Sequence, residues 1–319
     1  MSKRTKEWLA VNTWFWRFVV VGNLAAALLW WHWCWPHQPW LAVAGVGLLA
    51  CAAGMQLGLQ MLLMRHVLRS RRLPRPSAGV VLRAWLAEWK LSLQIFGWRI
   101  PFRQNAVPDY FPADASGQVG VVLVHGYFCS RAVWAPWLQR LQKQGIACAA
   151  MTLEPAHGHP VDAMVADLHR SVLQMVDRTG QPPLLVAHSM GGLVVRAWLK
   201  TLSARQRARY LAHVVTVATP HGGTWLGRFA HSLPARDMRE ASAWLQALGP
   251  LPADVGMSCW CSSSDNIVFP PPLAVMLGAA QHQVEDAAHM QLLFDERVWQ
   301  HCLQLRAQLQ GRVQRLVSD

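Results

Sequence analysis

The sequence predicts an α/β domain, a mainly parallel sheet covered by helices on both faces, preceded by two transmembrane helices. Three observations predict it. Two long apolar stretches near the N-terminus contain no Asp, Glu, Lys or Arg. From residue 119 onward, short apolar runs alternate with longer amphipathic ones, the pattern of repeated βαβ units. One of those short runs, Pro183-Leu-Leu-Val-Ala-His-Ser-Met-Gly-Gly192, stops abruptly at a serine flanked by small residues.

Residues 18–35 and 40–64 are each long enough to cross a hydrocarbon core, which takes about 20 apolar residues in a helix. Trp14, Trp16, Trp30, Trp31, Trp33, Trp35 and Trp40 crowd their ends, where an amphipathic ring bridges oil and water. A cleaved signal peptide fits poorly: the first span is long, no small-residue cleavage site follows it, and a second span comes at once. The chain of 319 residues carries a formal charge of +13, which raises nucleic acid as a partner, but the distribution argues against it. Lys3, Arg4, Lys6 and Arg17, offset by Glu7, put a net +3 before the first span. Arg65, Arg69, Arg71, Arg72, Arg75, Arg83, Lys90, Arg99 and Arg103, offset by Glu88, put +8 after the second, leaving +2 on residues 104–319. The connection from Pro36 to Pro39 carries none. The positive-inside rule then predicts both termini on the cytoplasmic side, with the basic stretch against anionic headgroups. The chain divides into an anchor (1–75), a basic amphipathic connector (76–107) and an α/β domain (108–319).

In the connector, Leu-Pro-Arg-Pro-Ser-Ala-Gly at 73–79 breaks the second span. Residues 80–96 then predict a helix with Leu82, Trp85, Leu86, Trp89, Leu93 and Phe96 on one face, suited to lie in a membrane surface or to pack on the domain. Strands are predicted near 119–125, 146–152, 183–188, 212–218, 255–261 and 279–284, and helices near 131–144, 161–178, 190–202 and 291–313. Residues 221–253 interrupt the alternation. Within them, 237–248 predict a helix whose apolar side (Met238, Ala241, Trp244, Leu245, Leu248) suits either a lid or an ordinary cap on the core. The seven cysteines show no zinc or redox spacing, and Cys259 and Cys261 read as core packing in a strand. His157 and His159 are metal-ligand types without a third clustered ligand, so they read as a loop lining the mouth of the site. No glycine-rich phosphate loop is present. Neither a metal nor a cofactor is expected.

The chemistry centres on Ser189. A buried strand must turn sharply into a helix there, exposing the side chain at the sheet edge with a helix N-terminus behind it. Ala187, Gly191 and Gly192 let strand and helix approach. The alternative is a serine that merely caps the helix. A second strand, Val119 to Val124, ends in His125-Gly126-Tyr127. The backbone N–H groups of Tyr127 and Met190 are the expected oxyanion donors, and His125 reads as a histidine bonding its own loop. Downstream, Asp265 follows a strand, where it can orient a histidine or simply form an Asx-turn. His289 lies between a short strand and the last helix, the expected place for a base. His282 falls within a strand, His301 within the last helix, and His188 is expected to point away from the elbow. Cys129, near the oxyanion turn, has no dedicated base.

Residues 119–300 resemble the bacterial lipase/esterase branch of the α/β-hydrolase superfamily. Val186-Ala-His-Ser-Met-Gly-Gly192 is similar to the alanine-variant elbow of small bacterial lipases. Ala218-Thr-Pro-His-Gly-Gly-Thr224 resembles their Thr-Pro-His-x-Gly-[Ser/Thr] segment, and Ser264-Asp-Asn-Ile-Val-Phe-Pro270 and Ala288-His-Met-Gln-Leu-Leu293 resemble their acid and base loops. The resemblance implies an α/β-hydrolase fold and carboxylic-ester hydrolysis by Ser189, Asp265 and His289. With the anchor, it leads us to expect a serine hydrolase of lipid-like acyl esters on the cytoplasmic face of a bacterial inner membrane. The same triad also serves acyl transfer or thioester cleavage. A membrane-tethered binding module that kept the fold without catalysis is the contrasting reading. A form beginning near Arg103 is expected to keep its activity on soluble esters.

Overall fold

Two long helices open the chain in the computed structural model, which describes residues 11–153 and 159–318. Lys3, Arg4, Lys6, Glu7 and His157 lie outside the described residues. Helices α1 (Val11–Cys34) and α2 (Pro39–Ser70) form a hairpin, and both are long and apolar enough to cross a membrane. Much of their surface is apolar and uncovered, including Phe18, Leu24, Leu28, Leu48, Leu59 and Leu62. Both helices run past the predicted spans at the end away from the hairpin turn. There they meet the rest of the chain: Met61, Met64, Val67 and Leu68 of α2 are buried in one cluster with Val81, Ala84, Phe269 and Ala288.

Helix α3 (Ala78–Gln94) is capped by Ser77, whose Oγ accepts from the Val80 N–H at 3.3 Å, and runs on into a π-helical turn, Ile95–Arg99. Its buried residues are Val81, Ala84 and Glu88, while Leu82, Leu86 and Leu93 of the predicted apolar face stay exposed. The tryptophans of that face turn to α2 instead. Trp85 donates its indole N–H to the Gly54 carbonyl at 2.7 Å, and a Cβ at Gly54 would sit 2.8 Å from the Trp89 ring. Two large aromatic side chains fit there because Gly54 has no side chain.

The sheet has six parallel strands: β1 (Val121–Val124), β2 (Cys148–Ala150), β3 (Leu184–His188), β4 (His213–Val217), β5 (Met257–Ser262) and β6 (Ala280–Val284). Their order is β2-β1-β3-β4-β5-β6, with Val122 paired to both Ala149 and Leu185. Each strand falls where the sequence predicts one. Period-two alternation splits β1 between two cores. Val121 and Leu123 join Trp134, Trp137 and Trp299 on one face; Val122 and Val124 join Leu168, Val172 and Trp198 on the other. Helices α4 (Ala135–Lys143), α5 (Val165–Thr179), α6 (Met190–Lys200), α7 (Ala204–Tyr210), α8 (Leu233–Asp237), α9 (Ala243–Leu248), α10 (His289–Leu293) and α11 (Glu296–Ser318) complete the chain. α4 and α11 cover the first face, α5 and α6 the second. Strand order reverses at β1, between β2 and β3, which opens a crevice beyond the carboxyl ends of β1 and β3, where open α/β sheets bind ligands.

Three elements differ from expectation. α7 is additional: its charged sequence lacks an apolar stripe, but a reciprocal Ser203–Gln206 capping box starts it. Of the expected helix over 237–248 only α9, residues 243–248, forms; α8 ends at Asp237, and Ala241 between them stands at φ 53°. Met238 and Leu245 are buried in the core on the α5–α6 side, so the apolar side of this segment faces inward. The last helix is broken at Phe294–Asp295 into α10 and α11.

Candidate active site

Ser189 stands between β3 and α6 at φ 54° and ψ −128°. A non-glycine residue holds a positive φ only where its surroundings impose it. Here the Ser189 N–H donates to the Val217 carbonyl at 2.9 Å, and Thr219 Oγ1 donates to the Ser189 carbonyl at 2.9 Å. Both neighbours of the peptide are thus taken by β4 and the loop after it. The glycines that follow make room for the elbow: a Cβ at Gly191 would lie 2.6 Å from the carbonyl oxygens of Val124 and His125, and one at Gly192 only 2.2 Å from Thr219 Oγ1. Gly191→Ala is therefore expected to destabilise the protein by about 1–3 kcal/mol, since a backbone oxygen cannot swing aside. Thermal unfolding of the variant checks this, and an unchanged midpoint would show that α6 shifts freely.

The turn after β1 meets the elbow. A Cβ at Gly126 would lie 2.7 Å from Ser189 Cβ. Among the described residues the Tyr127 N–H, in the turn after β1, donates no backbone hydrogen bond. Met190 opens α6, where helical N–H groups lack intrahelical acceptors. His125 is buried; its Nδ1 contacts the Gly126 carbonyl at 2.8 Å and its Nε2 accepts from the Leu153 N–H at 2.9 Å. That pairing puts the proton on Nδ1. Burial holds its pKa down at about 4, so His125 is a neutral brace for its loop.

Asp265 and His289 come together. His289 Nδ1 lies 3.0 Å from Asp265 Oδ2 and 3.1 Å from Oδ1. Oδ1 also accepts the N–H groups of Ile267 and Val268, each at 2.8 Å, so the Asx-turn and the contact with the imidazole coexist in one carboxylate. The three side-chain bearers are nearly closed off: Ser189 and His289 are each 6 % exposed and Asp265 1 %. Burial alone pulls the His289 pKa down, but the charge and hydrogen bond of Asp265, with the charge of Glu88, outweigh it and raise the pKa above 6.5. Among the described residues no hydrogen bond joins Ser189 Oγ to His289.

His188 does not point away. Alternation along β3 puts it on the Val186 side of the sheet, where its ring lies 4.7 Å from that of His289 and its Nε2 lies 3.3 Å from the His289 carbonyl. Burial, and then the His289 charge, push its pKa well down, so it stays a neutral packing partner. His282 stacks on Trp260 at 4.6 Å and neighbours His301 at 4.5 Å. His159 is exposed. Burial pushes the Cys129 thiol up to about 12, which leaves essentially no thiolate at neutral pH. Among the described residues no group of three His, Cys, Asp or Glu side chains gathers to hold a metal. The segment over 221–253 meets the turn after β1 through a 2.6 Å hydrogen bond between the Tyr127 and Ser232 hydroxyls.

Glu88 escapes sequence reasoning. In sequence it only offsets basic charge. In the structure its carboxylate, 2 % exposed, reaches the start of α10, where it accepts the Met290 N–H on both oxygens at 3.0 Å and the Gln291 N–H on Oε2 at 3.0 Å. The available signal is its isolation: it is the one acidic residue between Glu7 and Asp109, set between alanine and tryptophan in an apolar helix.

A family model described as "Alpha/beta hydrolase family" matches residues 121–312, more than half of the chain. Over 74 residues the chain is 35 % identical to "Lecithin-cholesterol acyltransferase-like 1" of Arabidopsis thaliana, a match that takes in 22 % of this chain and 17 % of that protein. The chain therefore spans only about a sixth of that relative's length. Among solved structures, the mature form of Bacillus licheniformis lipase BlEst2 superposes with a TM-score of 0.52 at 16 % identity, covering 62 % of this chain and 95 % of that one. Aspergillus fumigatus lipase B gives 0.53 at 14 % identity, covering 60 % and 53 %. At such identities the likeness is one of fold.

Proposed function

Since the chain belongs to the alpha/beta hydrolase family, we propose that it is a membrane-anchored serine hydrolase that cleaves carboxylic esters of lipid-like acyl chains. The observation that carries this reading is the pairing of His289 Nδ1 with Asp265 at 3.0 Å, in the same site as a serine held at positive φ on the elbow. His289 Nε2 takes the Ser189 hydroxyl proton as Oγ attacks the acyl carbon. The tetrahedral oxyanion is met by the N–H groups of Tyr127 and Met190, and the proton passes to the leaving alcohol. Water then repeats the sequence on the acyl-enzyme and releases the acid. A fluorophosphonate probe tests the assignment: it should label the wild-type protein and leave Ser189→Ala unlabelled. Labelling of both would move the nucleophile elsewhere.

Because the Asp265 and Glu88 charges raise His289, the acid limb of kcat/KM is expected above pH 6.5. The sign follows from the base role: protonation removes the acceptor, so activity falls as pH drops through the raised value. A limb well below 6.5 would argue against His289 as the base.

The lipid preference is supported by the uncovered apolar surfaces of α1 and α2 and by exposed Leu82, Leu86 and Leu93 on α3. Holding the domain at a bilayer raises the effective concentration of lipid at the site. The flanking basic charge favours a cytoplasmic catalytic domain. A reporter active only in the periplasm, fused after Asp319, should stay silent, and a strong signal would reverse the orientation. The Arabidopsis relative's name keeps acyl transfer as the second reading. Product analysis with an added alcohol acceptor separates the two.

A further inference from the structure

The part of the chain that precedes the family match reaches three loops of the candidate site. From α1, Asn12 Nδ2 donates to the Cys129 carbonyl at 2.9 Å and the Trp16 indole N–H to the Phe128 carbonyl at 2.8 Å, both just past the oxyanion turn. From α2, Gln60 Oε1 accepts from Asn266 Nδ2 at 2.7 Å, and Asn266 Oδ1 in turn accepts the His289 N–H at 3.2 Å. From α3, Glu88 takes the two N–H groups that follow His289.

Resting on the serine-hydrolase reading above, we propose that Glu88 is a positioning residue: its carboxylate clamps the Met290 and Gln291 N–H groups and so fixes the His289 imidazole against Asp265. Three considerations carry this. A carboxylate buried in an apolar helix is retained only where it is hydrogen-bonded, and among the described residues the hydrogen bonds of Glu88 go to the loop at His289. The first N–H groups of α10 have no acceptor within the helix, and Glu88 takes two of them. Finally, the Glu88 charge lies close enough to His289 to raise its pKa, while burial pushes Glu88 itself up to about 7 against the pull of the Met290 and Gln291 bonds. The titratable groups that face Glu88 are His289 and Asp265. On this proposal the site is built partly from residues that precede the family match, and a form beginning near Arg103 would lack the clamp.

The test uses full-length protein in detergent micelles or liposomes with a short-chain chromogenic ester, comparing Glu88→Ala, Glu88→Gln and Ser189→Ala. Displacing a catalytic group by about 1 Å can cost about a hundredfold in rate. Glu88→Ala should therefore lower kcat by about ten- to a hundredfold with KM changed less than about threefold. Glu88→Gln keeps an acceptor for the loop but removes the charge. It should recover most of kcat, and its acid limb should move to lower pH, because the positive form of His289 loses a stabilising neighbour. A purely structural role would leave that limb in place. Folded Glu88→Ala with wild-type kcat, or Glu88→Gln with an unshifted acid limb, would overturn the proposal. If Glu88→Ala does not fold, the Glu88→Gln profile decides alone. Turnover retained by Ser189→Ala would instead remove the serine-hydrolase reading on which the proposal rests.

Discussion

Ser189→Ala and His289→Ala are each expected to lower kcat/KM for a short-chain chromogenic ester by at least about a thousandfold, because the members of the proposed triad would act as a unit. The two losses differ in what they do to the fold. The contacts that hold the elbow, to Val217 and from Thr219, use the Ser189 main chain, so removing Oγ leaves them intact. Ser189→Ala should unfold at the wild-type temperature. His289→Ala removes the partner of the buried Asp265 carboxylate, which keeps the Ile267 and Val268 N–H groups. The expected cost is about 1–3 kcal/mol, the penalty of a buried polar group left short of a hydrogen bond. Initial rates beside thermal melts separate chemistry from stability. Near-normal turnover by His289→Ala would end its assignment as base.

Asp265→Asn is the more discriminating change, and we expect it to lower kcat by about a thousandfold or more while the protein stays folded. The reason lies in which oxygen is already committed. Oδ1 accepts two main-chain N–H groups, so the asparagine carbonyl must take that position and its NH2 must take the place of Oδ2. That NH2 then faces His289 Nδ1 at about the 3.0 Å of the present contact. Oδ1, 3.1 Å from Nδ1, already accepts two main-chain N–H groups, so the nearer donor favours an accepting Nδ1 and moves the imidazole proton to Nε2. Nε2 is then protonated and cannot take the proton from Ser189. Imidazole nitrogen chemical shifts would read the tautomer directly, and the rate would report its consequence. A loss smaller than tenfold, with Nδ1 still protonated, would mean that Asp265 is not the orienting acid.

The strands and the elbow are legible in the sequence because their signals are local. Five of the six parallel strands are buried along nearly their whole length and read as short, mostly apolar runs; the edge strand β6, Ala-Gln-His-Gln-Val, is largely exposed and polar, and shows itself by its place after Asp265. The elbow shows itself through Gly191 and Gly192, whose missing side chains are required by carbonyls and a hydroxyl a few ångströms away. Asp265 and His289 can be picked out by their order after Ser189 and their places at strand ends. What stays illegible depends on distant partners. The face that α3 buries is chosen by Gly54 and by the loop at Met290, not by its own hydrophobic stripe, so the exposed leucines mislead. His188 is turned toward His289 by strand alternation, but its neighbour is more than a hundred positions away. Glu88 looks like a counter-charge until the loop that it grips is seen.

α2 runs unbroken from Pro39 to Ser70, and its final turns share one apolar cluster with Phe269 and Ala288, residues that flank the acid and base loops. The hairpin is therefore not an interchangeable cassette. Replacing it with another anchor of equal length and hydrophobicity would discard Gln60 from beneath Asn266 and the glycine that receives Trp89. In a lineage of such proteins, positions 54 and 89, and positions 60 and 266, should drift as pairs, so that the history of the helical hairpin is written into the loops at Asn266 and His289.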